Sequence, residues 1–211
     1  MKSGNRNSIV VLFIVSFAFL NQPAYAFDPL AFTRFLGFQL DDKNTLADVQ
    51  KVLGPATIIS TGDAAEASDD LSYVTKDGST VLNFNSGEMG GNGKTLLGFA
   101  IYKLDHFKSE KGQLFKLTKP LDEIKVQGIY LGMSKKNFDD LFMGKINSTE
   151  PFAPPEISKK SKSTELSFDG KEKIFDKEEN QTIDYDDMID IDAKFDKDGL
   201  CFLSVSRVVQ N

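Results

Sequence analysis

A chain of 211 residues that is 40% hydrophobic and 27% charged has the make-up of a globular protein, which excludes wholesale disorder, a collagen-like repeat and a multi-span membrane protein. Its 31 acidic residues outweigh 25 basic ones, for a formal net charge of −6 at pH 7. That balance argues against a general nucleic-acid binder, because binding a phosphate backbone needs a basic surface.

The N-terminus reads as an export signal. Lys2 and Arg6 precede an apolar stretch from Ile9 to Leu20, and Asn21, Gln22 and Pro23 break it before Ala24-Tyr25-Ala26. Small residues at −3 and −1 place a cut after Ala26, so residues 1–26 are expected to be a signal peptide. The apolar stretch is shorter than the roughly 20 residues of a spanning helix. Phe27 stands where a lipoprotein needs Cys, so no membrane anchor is expected after signal removal. The expected location is periplasmic or secreted, and the mature chain is two charges more negative.

Beyond the signal, the same pattern occurs twice, about 90 residues apart. The first copy runs Gly37-Phe38-Gln39-Leu40, Thr45-Leu46-Ala47-Asp48-Val49 and Val52-Leu53-Gly54. Thr45 is a helix N-cap, Asp48 suits the first turn, Leu46, Val49, Val52 and Leu53 form an apolar face, and Gly54-Pro55 ends the helix. Strands are expected at Leu71 to Val74, Thr80 to Phe84 and Leu96 to Leu104, with a turn at Asp77-Gly78. Residues 27–106 form this first unit, and the polar segment 107–119 is a linker.

The second unit, 120–211, reads Gly128-Ile129-Tyr130-Leu131-Gly132-Met133, then Ser134 as a cap, with Phe138, Leu141 and Phe142 as the apolar face before Gly144. Strands follow at Thr164 to Phe168, Ile189 to Phe195 and Leu200 to Val209, bounded by Asp169-Gly170 and Asp196-Lys197-Asp198-Gly199. The expected fold is therefore α+β: two tandem units, each a short helical segment followed by an antiparallel β-meander.

The pattern Gly-apolar-x-apolar-Gly-Met-Ser, a short amphipathic helix ending in Gly and then several strands, resembles the superfamily of β-lactamase inhibitor proteins and BamE-like (SmpA/OmlA) outer-membrane assembly lipoproteins. Gly128, Leu131, Gly132, Met133, Ser134, Phe138, Leu141 and Gly144 carry the resemblance, with a fainter echo at Gly37, Leu40, Thr45, Val49, Leu53 and Gly54. The first copy departs from it with Asp41-Asp42 in place of Gly-Met. Tandem copies resemble the inhibitors in particular. The resemblance implies a non-enzymatic protein that binds another protein through its sheet face and loops.

Candidate chemistry is sparse. Gly87 to Thr95 imitates a phosphate-binding loop, but Glu88 occupies the first required Gly and a strand follows where a helix is needed. The acidic run Asp184 to Asp192 alternates Ile189, Ile191 and Ala193 against Asp190 and Asp192, the pattern of a strand with one wet face. An acidic partner patch or a calcium site are the other readings of that run, although no EF-hand register fits. Cys201, the one cysteine, falls on the face of Leu203 and Val205, as a buried structural thiol, and its one candidate base is His106, the one histidine. Phe152, among Pro151, Pro154 and Pro155, is a candidate interface anchor.

These readings converge on a protein-binding module, inhibitor-like or immunity-like, acting on an envelope or secreted protein with a basic surface. The candidate contact residues are Phe152, Tyr185, Asp186, Asp187 and Met89. No catalytic residue, metal ligand or cofactor is expected. An envelope-assembly accessory, or an enzyme or small-ligand binder whose site is scattered in sequence, are the alternatives.

Overall fold

A computed structural model describes residues 27–40, 44–62, 67–87, 95–108, 114–121, 123–142, 151–176 and 180–210. The signal segment, Asp41-Asp42, Met89 with most of the imitation phosphate loop, and Gly144 lie outside these residues.

The expectation of two α+β units is overturned. The described residues are about 55% strand and 15% helix, and all but two short strands join one large sheet. Two short strands, β1 (Arg34–Phe35) and β2 (Phe38–Gln39), pair with each other. The sheet is built from β3 (Ile59–Thr61), β4 (Ser68–Val74), β5 (Thr80–Gly87), β6 (Leu96–Lys103), β7 (Phe115–Lys116), β8 (Glu156–Lys159), β9 (Ser163–Asp176), β10 (Gln181–Asp196) and β11 (Gly199–Gln210). Its order is β3-β4-β5-β6-β11-β10-β9-β8, antiparallel throughout, with β7 added parallel to β4.

The physical reason for the single sheet lies at its centre. Left apart, two meanders would each leave a bare ladder edge at β6 and β11, and exposed edges are a hazard that pairing removes. Here β6 and β11 pair, with Leu203 opposite Ile101 and Val205 opposite Phe99. The helices are too short to form independent units: α1 (Pro29–Phe32) is one turn, and α2 (Leu46–Leu53) and α3 (Lys135–Phe142) about two each.

Local signals for those helices are as expected. Thr45 Oγ1 accepts from the Asp48 N–H at 3.3 Å while the Asp48 carboxylate accepts from the Thr45 N–H at 3.0 Å, a reciprocal cap that starts α2. Lys51, then Thr45, hold the Asp48 carboxyl down at about 2. Ser134 Oγ likewise accepts from the Asn137 N–H at 3.1 Å ahead of α3. On α2, Leu46 and Val49 are buried and Leu53 partly so, but Val52 is 64% exposed and does not belong to the apolar face.

One face of the sheet carries the core. Alternation along the strands sends Leu71, Phe84, Phe99, Val205, Ile191 and Leu166 into it as one cross-strand row. Aromatic rings fill the space between sheet and helices. Phe27, the first residue after the expected cut, stacks on Phe168 and Phe32 with centroids 5.2 and 5.1 Å apart. The strands run farther than expected. Asp169-Gly170 is not a turn but lies inside β9, where Gly170 makes room for the Phe152 ring. The β10–β11 turn does form at Asp196 to Gly199, and Leu200 exchanges hydrogen bonds of 2.8 Å with Gly132 and Met133, docking the turn on the Gly132-Met133 segment.

Candidate functional site

The other face of the sheet lies outside the main core cluster and is partly exposed, with Ala100 and Val81 buried on it. Two adjacent cross-strand rows define it. One runs Ser158, Glu165, Asp192, Ser204, Ala100, Asn83 and Ser72. Its neighbour runs Glu156, Ser167, Asp190, Ser206, Gly98, Asn85 and Asp70. Together they hold five carboxylates and no Lys or Arg. The middle of both rows is made of small residues, so the surface there is low and flanked by acids. Gly98 belongs to this design, because a Cβ would run into the Asn85 amide that lies over it.

A third row runs Lys194, Phe202, Tyr102, Val81 and Val74; Lys194 is exposed, Phe202, Tyr102 and Val74 are partly exposed, and Val81 is fully buried. The Tyr102 ring lies 4.8 Å from Phe202 and 5.1 Å from Phe107, the latter edge-on. The Lys194 ammonium sits 4.7 Å over Phe202, a cation–π contact, and pairs with Asp192 at 3.4 Å. Burial, with the charges of Asp70 and Asp192, raises the Tyr102 phenol above its ordinary range. Burial also raises the Asp70 carboxyl, against an Asn83 hydrogen bond of 3.3 Å that favours its charged form. The described grooves are open clefts; the one over β8, β9 and β10 is lined by Glu156, Glu165, Asp190 and Asp192.

The candidate contact residues divide differently from expectation. Phe152 is 3% exposed and packs on Gly170, so it is a core residue and not a surface anchor. The prolines around it read the same whether the ring is covered or bare. Asp187 is 2% exposed and bound by Arg207, which withdraws it from any surface patch. Tyr185 is half-buried, and Asp186 is exposed and ion-paired with Lys171. Asp190, exposed as expected, and Asp192, partly exposed with its Oδ1 buried, join Glu156, Glu165 and Asp70, which nothing in the local sequence linked to them. Cross-strand register alone brings them together.

One end of this face holds a second grouping. A register shift between Lys194 and Phe195 leaves Cys201 without a partner across the ladder. The residue is buried, as expected, but lies outside the main core cluster, beside Asp196 and His106 instead of with Leu203 and Val205. Its thiol donates to the Lys194 carbonyl at 3.2 Å. The His106 Nε2 is 3.0 Å from Asp196 Oδ2, and Lys103 Nζ reaches the two Asp196 oxygens at 3.1 and 3.0 Å. Burial comes first in raising the Cys201 thiol, and the Asp196 charge adds to it, so the sulfur is a poor free nucleophile.

No helix among the described residues is long and apolar enough to cross a membrane. Comparison of the chain with protein-family models, curated proteins and solved structures finds no match.

Proposed function

We propose that this is an exported, non-enzymatic binding protein whose open sheet face docks a basic surface of another envelope or secreted protein. One observation carries the reading: two neighbouring rows across the sheet hold five carboxylates, only two of them reached by lysines from outside the rows, Asp192 by Lys194 and Glu165 by Lys160, next to the Phe107, Tyr102 and Phe202 rings. Acids of one sign attract and orient a cationic partner, and desolvated aromatic rings supply contact area. The flat, open shape suits a protein surface better than a small molecule, which favours enclosing pockets. Phe27 seated in the aromatic core agrees with a mature chain that starts there.

The test uses immobilised wild-type protein and an Asp190→Lys/Asp192→Lys variant, challenged with envelope and secreted fractions. The expected result is one saturable partner with a basic surface, bound at least tenfold more weakly by the variant and more weakly as salt rises. Equal recovery by both proteins would reject the face, and an acidic partner would reject the charge argument. N-terminal sequencing of the exported form tests the leader separately, with Phe27 the expected first residue.

A further inference from the structure

We propose that His106, Asp196 and Cys201 form a binding site for a late first-row transition-metal ion of the zinc class. The imidazole nitrogen, carboxylate oxygen and thiol sulfur all lie within 4.8 Å of one another. They come from three places brought together by the fold: the 3-10 turn Leu104–His106 after β6, the end of β10, and the bulged start of β11.

The donor set selects the ion. Sulfur and imidazole are ligands for zinc, copper, cobalt or nickel and not for calcium or magnesium, which take oxygen alone. Around a tetrahedral zinc, donors about 2.0–2.3 Å from the metal sit about 3.4–3.6 Å apart. The 3.0 Å separation of His106 and Asp196 is already close to that, so binding requires mainly an approach of the sulfur. Lys103 is placed to hold the second carboxylate oxygen, at 3.1 Å, as outer partners of metal-bound carboxylates do. His106 is about one-third exposed, which gives an ion a way in to a sulfur that is itself covered.

Binding replaces the thiol proton with a metal–sulfur bond and that proton leaves to solvent, while the proton that His106 Nε2 holds toward Asp196 leaves that nitrogen, with Nδ1 keeping the one proton of the neutral ring, so that the Nε2 lone pair bonds the metal. The carboxylate gives up its Oδ2 contacts to Lys103 and His106 and bonds the metal through that oxygen. Three protein ligands leave a fourth position open to solvent or to a side chain of a partner. This site stands apart from the acidic rows, so its failure would not touch the binding proposal.

The experiment takes the full chain with its thiol reduced and metal stripped, and titrates it with Co2+ alone. One equivalent is expected to bind with a near-ultraviolet thiolate-to-metal charge-transfer band. That band should vanish in Cys201→Ser, and His106→Gln and Asp196→Asn should each weaken binding at least tenfold. Zn2+ is expected to raise the melting temperature of wild type, and Ca2+ to leave it unchanged. Absence of both band and melting shift, a band that survives Cys201→Ser, or an equal response to Ca2+ would overturn the proposal. Should Cys201→Ser fail to fold, undiminished binding by the surface variant His106→Gln would overturn it equally.

Discussion

Arg207 and Asp187 meet through two parallel hydrogen bonds, Nε to Oδ1 at 3.0 Å and Nη2 to Oδ2 at 2.8 Å, with both side chains buried. The same guanidinium reaches Glu172 at 3.0 Å and the Leu40 carbonyl at 3.4 Å, so it ties β10, β9 and the segment before α2 together. Removing one member leaves a buried charge short of its partner, at a cost of about 3–5 kcal/mol. Asp187→Ala should therefore be strongly destabilising in urea unfolding. Asp187→Leu/Arg207→Met, which removes both charges, should recover much of that loss, and a double-mutant cycle would show the coupling.

Gly199 has φ +98°, and a Cβ there would lie 2.8 Å from the Met133 carbonyl oxygen. Gly199→Ala adds left-handed strain of about 1–3 kcal/mol to that collision. The expected result is a lowered melting temperature, together with faster amide exchange at Gly132 and Leu200, whose N–H groups donate to the Leu200 and Met133 carbonyls and hold the turn in place. Unchanged exchange at those two amides would disprove the docking role given to this turn.

The two sides of α2 should respond oppositely to substitution. Val49 is fully buried, and Val49→Ala is expected to cost about 1–3 kcal/mol through lost transfer energy and a residual cavity. Val52→Lys, on the exposed side, should stay within about 0.5 kcal/mol of wild type. Denaturant midpoints measured side by side check both.

Ionisation predicts sensitivity at both extremes of pH. The Asp48 and Asp77 carboxyls are each held down at about 2 from 3.8, by Lys51 and Thr45 in the first case and by Thr75 and Ser79 in the second. Their contribution is present above the unfolded value and disappears as pH falls from about 4 to 2. Tyr73, whose hydroxyl donates to the Gly54 carbonyl at 2.6 Å, is pushed up to about 12 from 10.0 by burial. Its neutral form stabilises the fold fully below pH 10, and that support is lost as pH rises toward 12. Side-chain NMR titration is expected to return these displaced midpoints, and Tyr73→Phe should flatten the alkaline loss.

Much of the local structure was legible because its causes are local. The Thr45–Asp48 cap, the Ser134 cap and the Asp77-Gly78 turn depend on residues within three positions of each other. The joining of β6 to β11 depends on two edges about 100 residues apart finding each other, and no local pattern encodes that choice. Asp187 was readable in principle, since it shares the parity of Ile189, Ile191 and Ala193, and Arg207 shares that of Leu203 and Val205. Two opposite charges, each in step with a core face, are the signature of a buried pair. Cys201 defeats the same rule because the bulge at Lys194/Phe195 breaks the alternation just before it. The grouping of Asp196 with His106 spans 90 positions and had no sequence signal.

The last strand among the described residues is not at a margin of the sheet. β11 lies between β6 and β10, so both sides of its backbone are engaged. A chain that stopped after Asp196 would be split down the middle, with two hydrogen-bonding edges and the apolar row of Phe99 and Ile191 laid bare. Loss of β11 would thus turn a closed ladder into a template for self-association.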